Sequence, residues 1–231
     1  MVLPSEQAFL NLYSNPPEIS LRFYDIYIRQ LLNMDITKPT LLNCYQNRSD
    51  LNSSKITQRP KMQDRPDALF FGQREFRCVR YPALLKTNGF GGCVVLFLSN
   101  QQRGLRGGAH FDGFCLVAPQ VKPSFQQVIT PRLRSICDDL SQFKARLVGG
   151  IPGERSENMT ENILQELAAL KIEVVELDYG RSYSQGAIIG EDNEIYELTH
   201  FQYRTEDPPH LRALEAYYAS RNPLLRDASE L

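Results

Sequence analysis

Between Thr87 and Phe111 the chain reads TNGFGGCVVLFLSNQQRGLRGGAHF. The apolar run Val94 to Leu98 follows glycines at 89, 91 and 92 and precedes a polar turn at 101–104. Such a run is far too short to span a membrane and suits a strand buried in a sheet, expected over 93–98 with Cys93 at its start. A second glycine pair, Gly107-Gly108, leads into another extended stretch ending at Phe111. Two extended segments joined by a short turn make a hairpin. That hairpin brings Cys93 and His110 to one end of a sheet or onto neighbouring strands.

The surrounding sequence alternates strand and helix patterns. Short strands are expected over 68–71, 76–80 and 83–86, with the turn 87–92 after them. A mostly helical stretch is expected over 124–143, where Pro131 implies a late start or a kink. A strand over 145–148 ends at Gly149-Gly150. The clearest helix is 156–170, because Met159, Ile163, Leu167 and Leu170 recur at helical spacing, with Glu157 and Glu161 near its positive end. A strand over 172–177, a turn at 180–186 and a hairpin over 187–189 and 195–198 complete the pattern. The order predicts one mixed α/β (α+β) domain over 67–231. Residues 1–66 are read as an N-terminal extension, with short helices at 6–13 and 18–34 and a polar, partly disordered linker over 44–67. A last helix is expected over 211–220.

Bulk properties remove several classes of function. The chain has 231 residues, of which 42% are hydrophobic and 23% charged, ordinary for a globular protein. A formal net charge of −1 gives no electrostatic reason to expect nucleic acid or an anionic membrane as partner. Its five cysteines are odd in number and include no C-x-x-C pair, which argues against a disulfide framework or a structural zinc site. The first residues lack a basic segment followed by an apolar run. The expectation is a cytoplasmic protein with reduced thiols, no metal or organic cofactor and no membrane insertion.

The stretch 87–93 carries the chemistry. Its glycines permit tight turns and leave main-chain N–H groups uncovered just ahead of Cys93. Those amides, around Gly91 and Gly92, are candidate donors to an oxyanion. A thiol nucleophile needs a base, and the candidate among three histidines is His110. His200 and His210 read as surface or packing residues. Cys44, Cys78, Cys115 and Cys137 are given no catalytic role. Residue type and spacing leave a second reading open, in which Cys93 is a small buried hydrophobe and His110 a packing residue.

The segment 87–111 resembles the CheD family of chemoreceptor glutamine deamidases. Members read T-L-G-L-G-S-C-V-A-V, then a short loop, then a glycine pair ahead of H-F. Thr87, Gly89, Gly91, Cys93 and His110 fall on that pattern in order. The likeness extends over about residues 68–200, through KARLVGG at 144–150, the helix followed by IEVVELD, and Gly180-Arg181. Three departures stand out: Gly92 replaces a serine, the loop lacks Asp-Pro, and Phe111-Asp112-Gly113-Phe114 replaces F-x-L-P.

The resemblance implies a layered mixed β-sheet core flanked by two helices, related to the catalytic fold of cytotoxic necrotizing factor. It implies Cys93 as nucleophile, His110 as base and Thr87 as the group orienting the imidazole. The implied substrates are glutamines of methyl-accepting chemotaxis receptors, and the CheC phosphatase is an implied partner. Two alternatives stay open: a receptor- or CheC-binding module without turnover, and a deamidase of another protein such as a host GTPase. Arg181 is expected to hold a structural carboxylate.

Overall fold

The computed structural model describes residues 41–46, 59–90, 92–111, 120–150, 154–200 and 224–229. The chain divides between Pro39 and Thr40, and every described residue belongs to the unit Thr40–Leu231. The helices expected at 6–13, 18–34 and 211–220 lie outside the described residues, as do Gly91, Cys115 and His210. In order the elements are α1 (Leu41–Gln46), β1 (Lys61–Met62), β2 (Leu69–Phe70), β3 (Glu75–Arg80), β4 (Leu85–Thr87), β5 (Val94–Asn100) and β6 (Leu105–Phe111). Then come α2 (Val121–Ser124), a π-helical turn (Phe125–Ile129), α3 (Thr130–Arg134), β7 (Lys144–Gly149), α4 (Glu154–Ala169), β8 (Glu173–Tyr179), β9 (Ala187–Ile189), β10 (Ile195–Leu198) and β11 (Arg226–Asp227).

The strands form two sheets, one ordered β11-β3-β6-β5-β7-β8 and the other β1-β10-β9-β4-β2. The fold is therefore mixed α+β, as the alternating patterns predict. Strand β5 explains the layering. Val94, Leu96 and Leu98 point to one face of the larger sheet and pack with Met159, Ile163, Leu164 and Leu167 of α4 and with Phe125, Ile129 and Leu133. Cys93, Val95 and Phe97 point to the other face and pack with Leu85, Ala187, Ile189 and Ile195 of the smaller sheet. A strand apolar on both faces is what a middle layer needs. The order of layers is helices, larger sheet, smaller sheet. Among the described residues no helix is long and apolar enough to cross a membrane.

The predicted hairpin is present: β5 and β6 pair antiparallel, with Val95 opposite His110. Close packing of the two sheets explains one of its glycines. A Cβ on Gly108 would lie 2.5 Å from Phe71 Cε1, and Phe71 is itself fully buried and edge-packed on Phe97. Gly108→Ala should cost about 1–3 kcal/mol through overpacking. A denaturant midpoint equal to wild type would show that Phe71 has room to move.

Two expectations are corrected. The helical stretch runs from Val121 to Arg134 rather than from 124 to 143, with a π turn in its middle. Thr130 N–H bonds to Phe125 O there. Pro131 has no N–H and its ring crowds the carbonyl four residues back, so a widened turn just before it relieves that clash. Cys93 lies in a bend ahead of β5 rather than in the strand. Two described segments ahead of residue 67 contact the domain. Glu161 of α4 accepts hydrogen bonds from Leu41 N (3.1 Å) and Leu42 N (2.8 Å), capping α1. In the second, β1 pairs with β10, and Arg59 is buried.

Candidate active site

Thr87, Cys93 and His110 come from both sheets. Thr87 ends β4 of the smaller sheet, opposite Ala187, and His110 sits in β6 of the larger one. Thr87 Oγ1 and His110 Nδ1 are hydrogen-bonded at 2.8 Å across the layer boundary. Cys93 shares the His110 face: Val95 is directly opposite His110, and Cys93, in the bend leading into β5, packs in the same apolar cluster as Val95. Cys93 is not disulfide-bonded.

The site is closed. Thr87 and His110 are fully buried and Cys93 is 2% exposed. His110 Nε2 is buried and makes no hydrogen bond among the described residues. Burial disfavours the charged imidazolium and pushes the His110 pKa down to about 3. His110 is therefore neutral at pH 7. One nitrogen carries the proton and the other a lone pair. If Nδ1–H donates to Thr87 Oγ1, the lone pair is on Nε2, the nitrogen without a protein partner. That tautomer is the one a general base requires.

A stability consequence follows from the low pKa. The unfolded chain takes up a proton on this histidine near pH 6.5, whereas the folded chain does not until about pH 3. Stability should fall as pH drops from 6.5 toward 3, by up to ~1.4 kcal/mol per unit from this group. His110→Gln should flatten that slope. Chemical denaturation of both proteins at pH 7 and pH 5 measures it, and equal slopes would contradict the burial argument.

The backbone around Cys93 is held from two directions. Ser156 Oγ in the first turn of α4 donates to Gly92 O at 2.9 Å. A trans peptide sets its C=O and N–H in opposite directions, so this bond also fixes where the Cys93 N–H points. Gly150 N donates to Cys93 O at 2.8 Å. The chain must pass very close here. A Cβ on Gly149, whose φ is +95°, would stand 2.6 Å from Cys93 O. Gly92 is half-buried, and a Cβ there would meet nothing within 4 Å. Open space beside a fixed amide suits an oxyanion position.

Residues the sequence reading passed over surround this core. Phe90 packs edge-on with the His110 ring at 5.6 Å and stacks on Tyr183 at 4.8 Å. Tyr183 OH donates to Asp178 Oδ2 at 2.6 Å. Arg59 reaches Asp178 at 2.9 Å, bonds Tyr183 OH, donates to Ile195 O at 3.1 Å and pairs with Glu176. Arg181 pairs with Asp178 at 3.3 Å, the structural carboxylate expected for it. Arg106, also buried, stacks on Tyr81 and donates to Asn193 Oδ1 (3.1 Å), Ala83 O (3.0 Å) and Glu191 O (3.0 Å). It ties the larger sheet to the β9–β10 hairpin. The clue available for these residues was a tyrosine inside the glycine-bounded turn 180–186. His200 is exposed, and Cys78 and Cys137 are buried away from the site in the helix-side core. Burial pushes the Cys78 thiol up to about 12, which suits an inert residue.

No protein-family model matches the chain, and no curated protein matches it. Among solved structures it is similar to the Bacillus licheniformis hypothetical protein YfiH, at 13% identity over 60% of this chain and 70% of that one. The TM-score is 0.30, a likeness too slight to bear on chemistry.

Proposed function

We propose that this protein hydrolyses glutamine side chains of another protein to glutamate and ammonia, with Cys93 as nucleophile. The observation that carries the reading is the Thr87–His110 hydrogen bond, on the sheet face that Cys93 shares. A hydroxyl fixing one imidazole nitrogen, the other unpartnered and a thiol alongside make up the nucleophile–base–orienter logic of acyl transfer.

Chemically, His110 Nε2 takes the Cys93 proton and the thiolate attacks the carboxamide carbon. The oxyanion forms near Gly92 and the Cys93 amide. His110 then returns the proton to nitrogen, and ammonia leaves with the C–N bond pair. Water, deprotonated by the same nitrogen, cleaves the thioester and releases the glutamate and the thiol. Every step is proton transfer or addition–elimination, so the reaction calls for no cofactor.

The substrate assignment, glutamines of methyl-accepting receptors, rests on the motif T-x-G-x-G-x-C with a downstream glycine pair and histidine. Incubating the protein with receptor cytoplasmic fragments and reading glutamine-to-glutamate conversion by peptide mass spectrometry tests it. Absence of conversion there, with conversion of a GTPase glutamine, would move the target and keep the chemistry. Binding without conversion of either would leave a non-catalytic module.

A further inference from the structure

We infer that Tyr183 is a positioning residue for His110, acting through the ring of Phe90. The inference deepens the deamidase reading and takes its word "base" from it. Among the described residues the His110 ring has one hydrogen-bond partner, Thr87 at Nδ1, and a hydrogen bond to one ring nitrogen leaves the imidazole free to swing about that contact. Phe90 blocks the swing, with its ring 71° to the imidazole at a centroid distance of 5.6 Å. Such edge-to-face pairs have a preferred geometry worth about 0.5–1.5 kcal/mol beyond area.

Phe90 lies on the turn before Cys93, outside the regular strands, so something must hold it in turn. Tyr183 does so twice. The two residues exchange main-chain hydrogen bonds, Phe90 N to Tyr183 O and Tyr183 N to Phe90 O, both 2.8 Å. Their rings stack at 4.8 Å with 19° between planes. Tyr183 itself is immobilised at its far end, where the hydroxyl donates to Asp178 and accepts from Arg59. The result is a rigid line from a buried ionic cluster, through two stacked rings, to the imidazole. Among the described residues the titratable side chains near His110 are Cys93, Glu75 and Tyr183: Glu75 follows the β3–β6 register to the position opposite His110 and is held by Gly72 N–H and Arg226, and Tyr183 lies behind Phe90, turned away toward Asp178.

The main-chain bridge survives any side-chain change, so ring substitutions isolate the stack. In Tyr183→Leu, Phe90 loses its backing, and His110 becomes less shielded and less fixed. The imidazole titration, followed by NMR in the folded protein, should rise by about one unit or more. The kcat for deamidation should fall ~10-fold or more with KM nearly unchanged, since Tyr183 is fully buried behind Phe90. Tyr183→Phe keeps the ring and should retain the wild-type titration and most of kcat. A Tyr183→Leu protein that folds and titrates as wild type overturns the inference. If that variant does not fold, Phe90→Leu serves instead, and an unshifted His110 there overturns it equally. The NMR arm needs no substrate, so a wild type that converts no glutamine would refute the deamidase reading while leaving this test decisive for the positioning.

Discussion

Cys93→Ala is expected to remove deamidation altogether, a loss of at least ~10⁴-fold in kcat, because no thioester can form without the sulfur. Removing His110 should cost nearly as much, and the two losses should not add, since nucleophile and base act as one unit. Thr87→Val should be milder, about 10- to 100-fold. It keeps the volume and the buried position but leaves Nδ1 without its partner, so the imidazole loses both its orientation and its tautomer preference. Single-turnover assays on a receptor fragment measure all three. Retained conversion in Cys93→Ala would end the proposed mechanism. Undiminished conversion in Thr87→Val would reduce the Thr87–His110 contact to packing.

The second large effect is on stability and comes from Arg59. Asp178 and Glu176 are buried carboxylates, and Arg59, itself 5% exposed, is paired with both. Arg146 and Arg181 stand farther off, at 3.4 and 3.3 Å. Arg59→Met keeps much of the side-chain volume and removes the charge, stranding part of the negative charge in a low-dielectric site. The expected loss is about 3–5 kcal/mol. Urea unfolding of the two proteins checks it, and a difference below ~1 kcal/mol would mean that Arg146 and Arg181 already compensate the carboxylates.

The sequence made some of this legible and hid the rest, for reasons that differ by residue. The β5–β6 hairpin was readable because its apolar run and its two glycine clusters are local signals, and hairpin pairing couples neighbours in the chain. Cys93 and His110 followed from it. Helix α4 was readable from the spacing of Met159, Ile163 and Leu167. Arg59 was not, because its partners lie over a hundred residues downstream and an arginine among polar residues carries no periodic signal. Strands β1 and β11 have two residues each, too few to show an alternation. The π turn reflects a steric response to Pro131, which the sequence marks as a disturbance without saying which kind. That Thr87 orients His110 was suggested by a motif, and nothing in the sequence placed the two on different sheets. Pairing across a layer boundary depends on how two faces dock, and neither face carries that information alone.

This last arrangement bears on how such a site could be tuned. The hydroxyl and the imidazole belong to different layers, and their 2.8 Å separation is set by what fills the gap between those layers. Phe71, Val95, Phe97 and Ile189 are among the fillers. A methyl group added or removed at any of them changes the spacing of the sheets before it changes any reacting group. On the proposed mechanism, the reactivity of the thiol–imidazole pair would be adjustable from residues of this apolar layer, whose divergence would alter rate while Thr87, Cys93 and His110 stay constant.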